Sequence, residues 1–275
     1  MSSLGPDKRA KGETRMASPV AWAESSIVVA GLRMHLMQAG SGPAVLVLHH
    51  DVGTPDRLAF YDRLAERFTV LVPHHPGWGK SERPAWARHV RDLAAIYQWL
   101  LADRKIGPVS LAGLGFGGWI AAEMASLAPR EFAKLVLVAP MGIKPPEGEI
   151  MDQAIVSYIA YPQAGFHDQA RFRDIYGDVT TDQLEAWDIA REMCFRLAWK
   201  PYMYNPALPH LLGGVRAPAL IVWGDDDRIV PRSAGEAYVR ALGNARMETV
   251  RACGHFAEME QPEELARIIS QFLAA

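Results

Sequence analysis

The chain has 275 residues, 49% of them hydrophobic and 22% charged, with a formal net charge of −2. This balance describes a globular chain that can bury one α/β core with an insertion, and it excludes bulk electrostatic attraction to nucleic acid or acidic membranes. Its two cysteines, Cys194 and Cys253, show neither metal-ligand spacing nor a disulfide framework. Apolar runs reach only strand length and no signal peptide is evident, so a cytoplasmic chain without a membrane span is expected.

Residues 1–24 read as a flexible leader, polar and rich in Ser, Lys, Arg and Gly over 1–19. Stretches 26–29 and 33–37 flank Ala30-Gly31-Leu32 and predict an opening hairpin. The continuous apolar run 44–48 is typical of a strand buried on both faces of a parallel sheet, and it ends in His49-His50-Asp51. A helix is expected over 56–67, where Leu58, Tyr61, Leu64 and Phe68 recur every three or four residues. A strand over 68–73 runs into His74-His75-Pro76-Gly77-Trp78-Gly79-Lys80-Ser81, and a helix follows at 90–103. The next unit, Val109 through Trp119, reads as strand, tight glycine turn and helix, with Pro108 before it and Pro129 after the helix. After a strand at 135–138 the alternation stops. Residues 141–214 carry helical patterns, aromatics and prolines but no convincing strand. Strand 219–223, helix 233–242, strand 247–251 and helix 262–273 then resume it. Alternating β and α units predict a parallel sheet with helices on both faces. The organisation expected is a core of 25–140 and 215–275 interrupted by a helical cap at 141–214, without internal repeats.

The glycine turn admits two readings. Gly113, Gly115 and Gly118 match the G-x-G-x-x-G spacing of a dinucleotide site, but that fingerprint requires an acidic residue near the end of the following strand. Here that strand ends in Ala139-Pro140. The other reading fits better: Gly113-Leu114-Gly115-Phe116-Gly117 resembles the G-x-S-x-G nucleophile elbow of the α/β-hydrolase superfamily, with glycine at the nucleophile position.

Three further stretches carry the same resemblance in the same chain order. Trp223-Gly224-Asp225-Asp226-Asp227-Arg228-Ile229-Val230-Pro231 resembles the family segment whose aspartate orients the catalytic histidine, which places that role at Asp227. Cys253-Gly254-His255-Phe256 resembles the Gly-His segment, which places the histidine at His255. Pro76-Gly77-Trp78-Gly79-Lys80-Ser81 resembles the family's P-G-x-G-x-S turn. The likeness spans about residues 25–273. The stretch 196–203 looks like a bacterial branch with helical caps. The resemblance implies an α/β-hydrolase fold, with a mostly parallel central sheet, helices on both faces and an inserted helical cap.

Gly115 has no side chain, so no acyl-serine intermediate can form there; the aspartate used by the dehalogenase and epoxide-hydrolase branches is absent too. The family's His-Gly after the first parallel strand becomes His49-His50 followed by Asp51, whose carboxylate would repel an oxyanion if it pointed inward. A histidine held by an acid is still a competent base near neutral pH, and the volume left by a serine could admit a water. The reading is therefore an enzyme acting on a small, largely apolar organic substrate. His255 with Asp227 would activate water or abstract a proton, for hydrolysis or lyase-type cleavage, with Asp51 or His50 as second acid/base group. The backbone N–H of Phe116 remains an anion donor, with Asp51 beside it in the oxyanion loop. Trp119, Trp199 and Tyr202 are expected to contact substrate. Two alternatives stand beside this: a non-catalytic ligand-binding relative, and a serine hydrolase whose nucleophile was changed to glycine. No cofactor and no metal are expected: His49, His50, His74 and His75 sit at two strand ends, but alternate residues point to opposite faces. Cys253 reads as packing. Partners are a small-molecule substrate, with neither nucleic acid nor membrane; oligomeric state is open.

Overall fold

The computed structural model describes residues 20–275. Most of the expected leader, residues 1–19, lies outside them, but its last residues do not behave as one. The first strand, β1, already starts at Ala23, and Trp22 donates to Asp62 at 2.7 Å.

Among the described residues eight strands form one sheet: β1 (Ala23–Val29), β2 (Leu32–Ala39), β3 (Ala44–Leu48), β4 (Thr69–Pro73), β5 (Val109–Leu114), β6 (Phe132–Val138), β7 (Ala219–Gly224) and β8 (Ala245–Val250). Their order is β1-β2-β4-β3-β5-β6-β7-β8, antiparallel at β1/β2 and β2/β4 and parallel elsewhere. The hydrophobic runs explain the centre. β3, β5 and β7 are apolar at nearly every position because both faces are covered. Leu46 and Leu48 belong to one core, beneath helices α2 (Val90–Asp103) and α3 (Phe116–Leu127). Val45 and Val47 belong to the other, beneath α1 (Ala59–Ala65) and the C-terminal helix. Edge strand β8 alternates and stays partly exposed.

Between β6 and β7 lie four helices, α4 (Ala160–Ala164), α5 (Gln169–Tyr176), α6 (Thr181–Ala198) and α7 (Leu208–Leu211), and no strand beyond one isolated bridge, Gly142 to Tyr204. After β7 come α8 (Arg232–Leu242), a short α9 (Ala257–Glu260) and α10 (Pro262–Ala274). Sequence periodicity predicts the first helix from 56, yet α1 begins at Ala59, because residues 50–58 are taken up by a turn in which Gly53 donates to the His50 carbonyl. The single turn α9 is too short to show a helical period and goes unpredicted. No helix among the described residues is long and apolar enough to cross a membrane.

Candidate active site

Three segments converge at the C-terminal ends of the strands, where ligands bind in open parallel sheets. The first is the elbow. Gly115 joins β5 to α3 at φ 51° and ψ −110°, a region that side-chain-bearing residues rarely adopt. Gly117 lets α3 press onto β3, for a Cβ there would overlap the Leu48 carbonyl oxygen. As the first residue of α3, Phe116 has an N–H with no acceptor inside the helix.

The second segment brings the acid and the histidine. Asp227 follows β7; its Oδ1 accepts from the N–H groups of Ile229 (2.8 Å) and Val230 (2.9 Å), leaving Oδ2 for Nδ1–H of His255 at 2.8 Å. His255 sits in the loop after β8. That loop is pinned from two sides: the Gly165 carbonyl accepts from His255 N–H at 2.7 Å, and Glu260 accepts from Gly254 N–H at 2.6 Å. The Nε2 of His255 is buried and has no hydrogen-bond partner among the described residues. Burial by itself depresses the imidazole; the charge of Asp227 and the hydrogen bond to it outweigh burial, with Asp51 and Glu258 adding. The His255 pKa is therefore raised above the ordinary 6.5.

The third segment, after β3, places both residues of the altered loop inside. His50 is fully buried, donates Nε2–H to Glu258 at 3.2 Å and lies edge-on to His255 with ring centroids 4.8 Å apart. A Cβ built on Gly115 would overlap Nδ1 of His50 and stand 3.0 Å from Nε2 of His255. The space that a serine side chain would need at 115 is thus taken by the His50 imidazole. Asp51 is 1% exposed; its Oδ2 accepts from Gln153 Nε2, and its Oδ1 has no partner among the described residues. Trp78, from the P-G-W-G turn, donates to the Asp51 carbonyl at 2.6 Å and fixes that backbone.

The strand-end histidines divide as the alternation of side chains requires. His49 and His75 stack at 3.7 Å with both ring nitrogens satisfied. His49 donates to the His50 carbonyl and accepts from His75 N–H; His75 donates to the His49 carbonyl and pairs with the Tyr97 hydroxyl. Burial lowers both pKa values, with His75 falling to about 3, so both rings are neutral. His74, lowered to about 4 by burial and the neighbouring His35, lies apart beside Asp56. Cys253 donates weakly to the Gly254 carbonyl, and burial pushes its thiol up, which denies it thiolate character.

The three aromatic residues expected at the substrate are not gathered with this group. Trp119 is buried on α3, donating to Glu123 at 3.1 Å and packed under Gly142. Trp199 is half exposed and stacks on Phe195. Tyr202 is one step removed: its hydroxyl accepts from Gln153 N–H and donates to the Met151 carbonyl, each at 2.9 Å. Instead, a narrow cavity beside Asp51 is lined by Gln153, Tyr158, Tyr161, Trp187 and Arg191. Burial and then the Asp51 charge raise the pKa of Tyr161. Glu258, Gln153 and Tyr161 carry no motif in the sequence. The only trace of Glu258 is an acid one helical turn past His255.

This sheet, its glycine elbow and a histidine after the last strand held by an acid after the one before define a hydrolase-type scaffold. The chain belongs to the alpha/beta hydrolase family, whose model matches residues 45–268. Among its relatives is a 2-hydroxy-6-oxononadienedioate/2-hydroxy-6-oxononatrienedioate hydrolase of Burkholderia vietnamiensis, 28% identical over 263 residues that span 88% of this chain and 91% of that protein. A solved membrane phospholipase A, described as a bacterial virulence factor, superimposes with TM-score 0.79 at 25% identity, covering 92% of this chain and 86% of its own. The fold is also that of a 2-hydroxy-6-oxo-6-phenylhexa-2,4-dienoate hydrolase from a Rhodococcus strain: TM-score 0.72, 22% identity, 93% of this chain and all of that one.

Proposed function

We propose that this chain is an enzyme that cleaves a small, largely apolar keto acid or ester, hydrolytically or as a lyase, without a covalent enzyme intermediate. His255, oriented by Asp227, takes a proton from water or from the substrate. One observation carries this reading: the Nε2 of His255 is buried and unpaired, and it faces position 115, where no nucleophile stands. The inward Asp51 carboxylate argues against acyl transfer, since it would oppose charge developing on a carbonyl oxygen. His50, on Glu258, supplies a second imidazole for proton exchange. The names of the relatives suggest the substrate class, a 2-hydroxy-6-oxo dienoate.

Residues 141–214 act as a cap over this chemistry. Gln153 and Tyr161, from that segment, reach Asp51 and its cavity. A cleft of about 210 Å³ between the Val52–Pro55 turn and helices α5 and α6 shares Val52 with that cavity. His50 also weighs against a serine hydrolase altered at a single position, because a serine at 115 would force the present His50 ring to move.

The test is turnover of vinylogous keto acids and activated esters, with products identified by mass, in the chelator-treated protein and in His255→Ala. Cleavage lost in His255→Ala supports the reading. Cleavage that survives it, or tight binding of a keto acid with no cleavage, would overturn it in favour of other chemistry or of a binding protein.

A further inference from the structure

We propose that His50, Asp51 and His255 together form a binding site for one divalent transition-metal ion of the zinc or ferrous type. Their ligand-type atoms lie within 4.8 Å of one another. Each of the three residues carries one buried atom without a hydrogen-bond partner among the described residues: Nδ1 of His50, Oδ1 of Asp51 and Nε2 of His255. The two ring nitrogens both border the Cβ position of Gly115. Buried polar atoms are rarely left unsatisfied, and three in one cluster are candidate lone pairs for a Lewis acid.

The tautomers are already those a metal requires. His50 donates Nε2–H to Glu258 and His255 donates Nδ1–H to Asp227, so both remaining nitrogens present lone pairs to the pocket. A carboxylate behind each ligating imidazole is the usual second layer of a metal site. Gln153 holds the other oxygen of Asp51 in place. The side chains of Asp51, Asp227 and Glu258 are all about 1% exposed, and none is hydrogen-bonded to a lysine or arginine among the described residues. A dication offsets that buried negative charge. Two imidazoles and one carboxylate leave coordination positions open, in the pattern of catalytic zinc and non-haem iron sites. The missing side chain at 115 is what lets Nδ1 of His50 stand beside Nε2 of His255, since a Cβ there would collide with the one and crowd the other. Ligands at about 2.1 Å from one ion stand about 3 to 3.5 Å apart, so loading draws together any pair that is wider than this.

A second cluster, His35, Asp56 and His74, is similar in composition but is not ready to ligate. Nδ1 of His74 accepts Lys80 N–H at 3.1 Å, which puts the ring proton on Nε2, and the Lys80 ammonium is already on Asp56 at 2.7 Å.

The inference goes beyond the general-base reading and does not rest on it. An ion on Nε2 of His255 takes the lone pair that would otherwise accept a proton, so loading silences general-base turnover. The experiment is titration of the chelator-treated protein with Co²⁺, followed by visible absorption and calorimetry. Expected are one equivalent bound, a ligand-field band, and binding weakened more than about 100-fold in His50→Ala and in the isosteric Asp51→Asn, but unchanged in His74→Ala. Circular dichroism of each variant separates lost binding from lost fold. Absence of binding, or binding unaffected by both His50→Ala and Asp51→Asn, overturns the site, as does loss of binding in His74→Ala. Turnover that appears only with the ion bound keeps the site and overturns the general-base reading. Turnover in the ion-free protein with no Co²⁺ binding does the reverse.

Discussion

The imidazole of His50 stands where a side chain on residue 115 would have to begin: a Cβ on Gly115 would overlap Nδ1 of His50 and come within 2.8 Å of its Cε1. Glycine at 115 and histidine in the loop after β3 therefore depend on the same space. Gly115→Ser should then destabilise the fold by about 1–3 kcal/mol through overpacking, without producing an acyl-enzyme. Combining it with His50→Gly should recover most of the loss. Denaturant unfolding of both single variants and the double variant reads this as a coupling of about 1 kcal/mol or more. Additive effects would mean that the two positions do not share the space.

The pH dependence of turnover follows from His255. Its neutral form is the base, and its pKa is raised above 6.5, so kcat/KM should climb with pH through a limb lying above that value. In Asp227→Asn the charge and the hydrogen bond that do most to raise the pKa are gone, and burial is opposed only by Asp51 and Glu258. The limb should then move to lower pH while kcat falls by about 10²- to 10⁴-fold. A limb that stays in place would remove Asp227 from the pairing.

Acid lability should trace to the other histidines. His49, His74 and His75 have folded pKa values depressed by burial, to about 4 for His74 and about 3 for His75. Their contribution is fully present above 6.5 and is lost as pH falls through those folded values, because the unfolded chain binds protons first. His255 has the opposite sign: its contribution is present below 6.5 and is lost as pH rises through its folded pKa. His255 adds no slope below 6.5, so these three groups should lower the unfolding free energy as pH drops from 6.5 to about 4. A His75→Gln variant should show a shallower fall in urea titrations across that window.

Trp119 is tied to Glu123, which also accepts from Asn205 at 2.7 Å and from Arg91 at 2.8 Å. Glu123→Ala leaves the buried Trp119 N–H without an acceptor and should cost about 1–3 kcal/mol. If Trp119 packs and does not touch substrate, Trp119→Phe should lower the melting temperature while leaving KM within about twofold. A large rise in KM at unchanged stability would restore Trp119 to the substrate surface.

The pairing of His255 with Asp227 was legible because it depends on chain order along a sheet whose strands announce themselves. Each lies in the loop after a strand, and parallel neighbours bring such loops side by side. The surroundings of Trp119, Trp199 and Tyr202 were not legible, because aromatic character marks burial without naming the neighbour. Glu258 and Gln153 were invisible for a related reason: their partners His50 and Asp51 are 208 and 102 residues away.

The sequence by itself determined the sheet, the glycine turn and the order of acid and histidine. Hydrophobic period and turn residues act over a few positions, and a glycine at 115 excludes an acyl-serine at that position in any fold. Only the tertiary structure decided that His50 would fill the vacated space, that Asp51 would turn inward, and that His49 and His75 would saturate each other. Those outcomes depend on loop paths and side-chain packing between distant segments, where a single rotation about a strand end sends a histidine into the core or into the site.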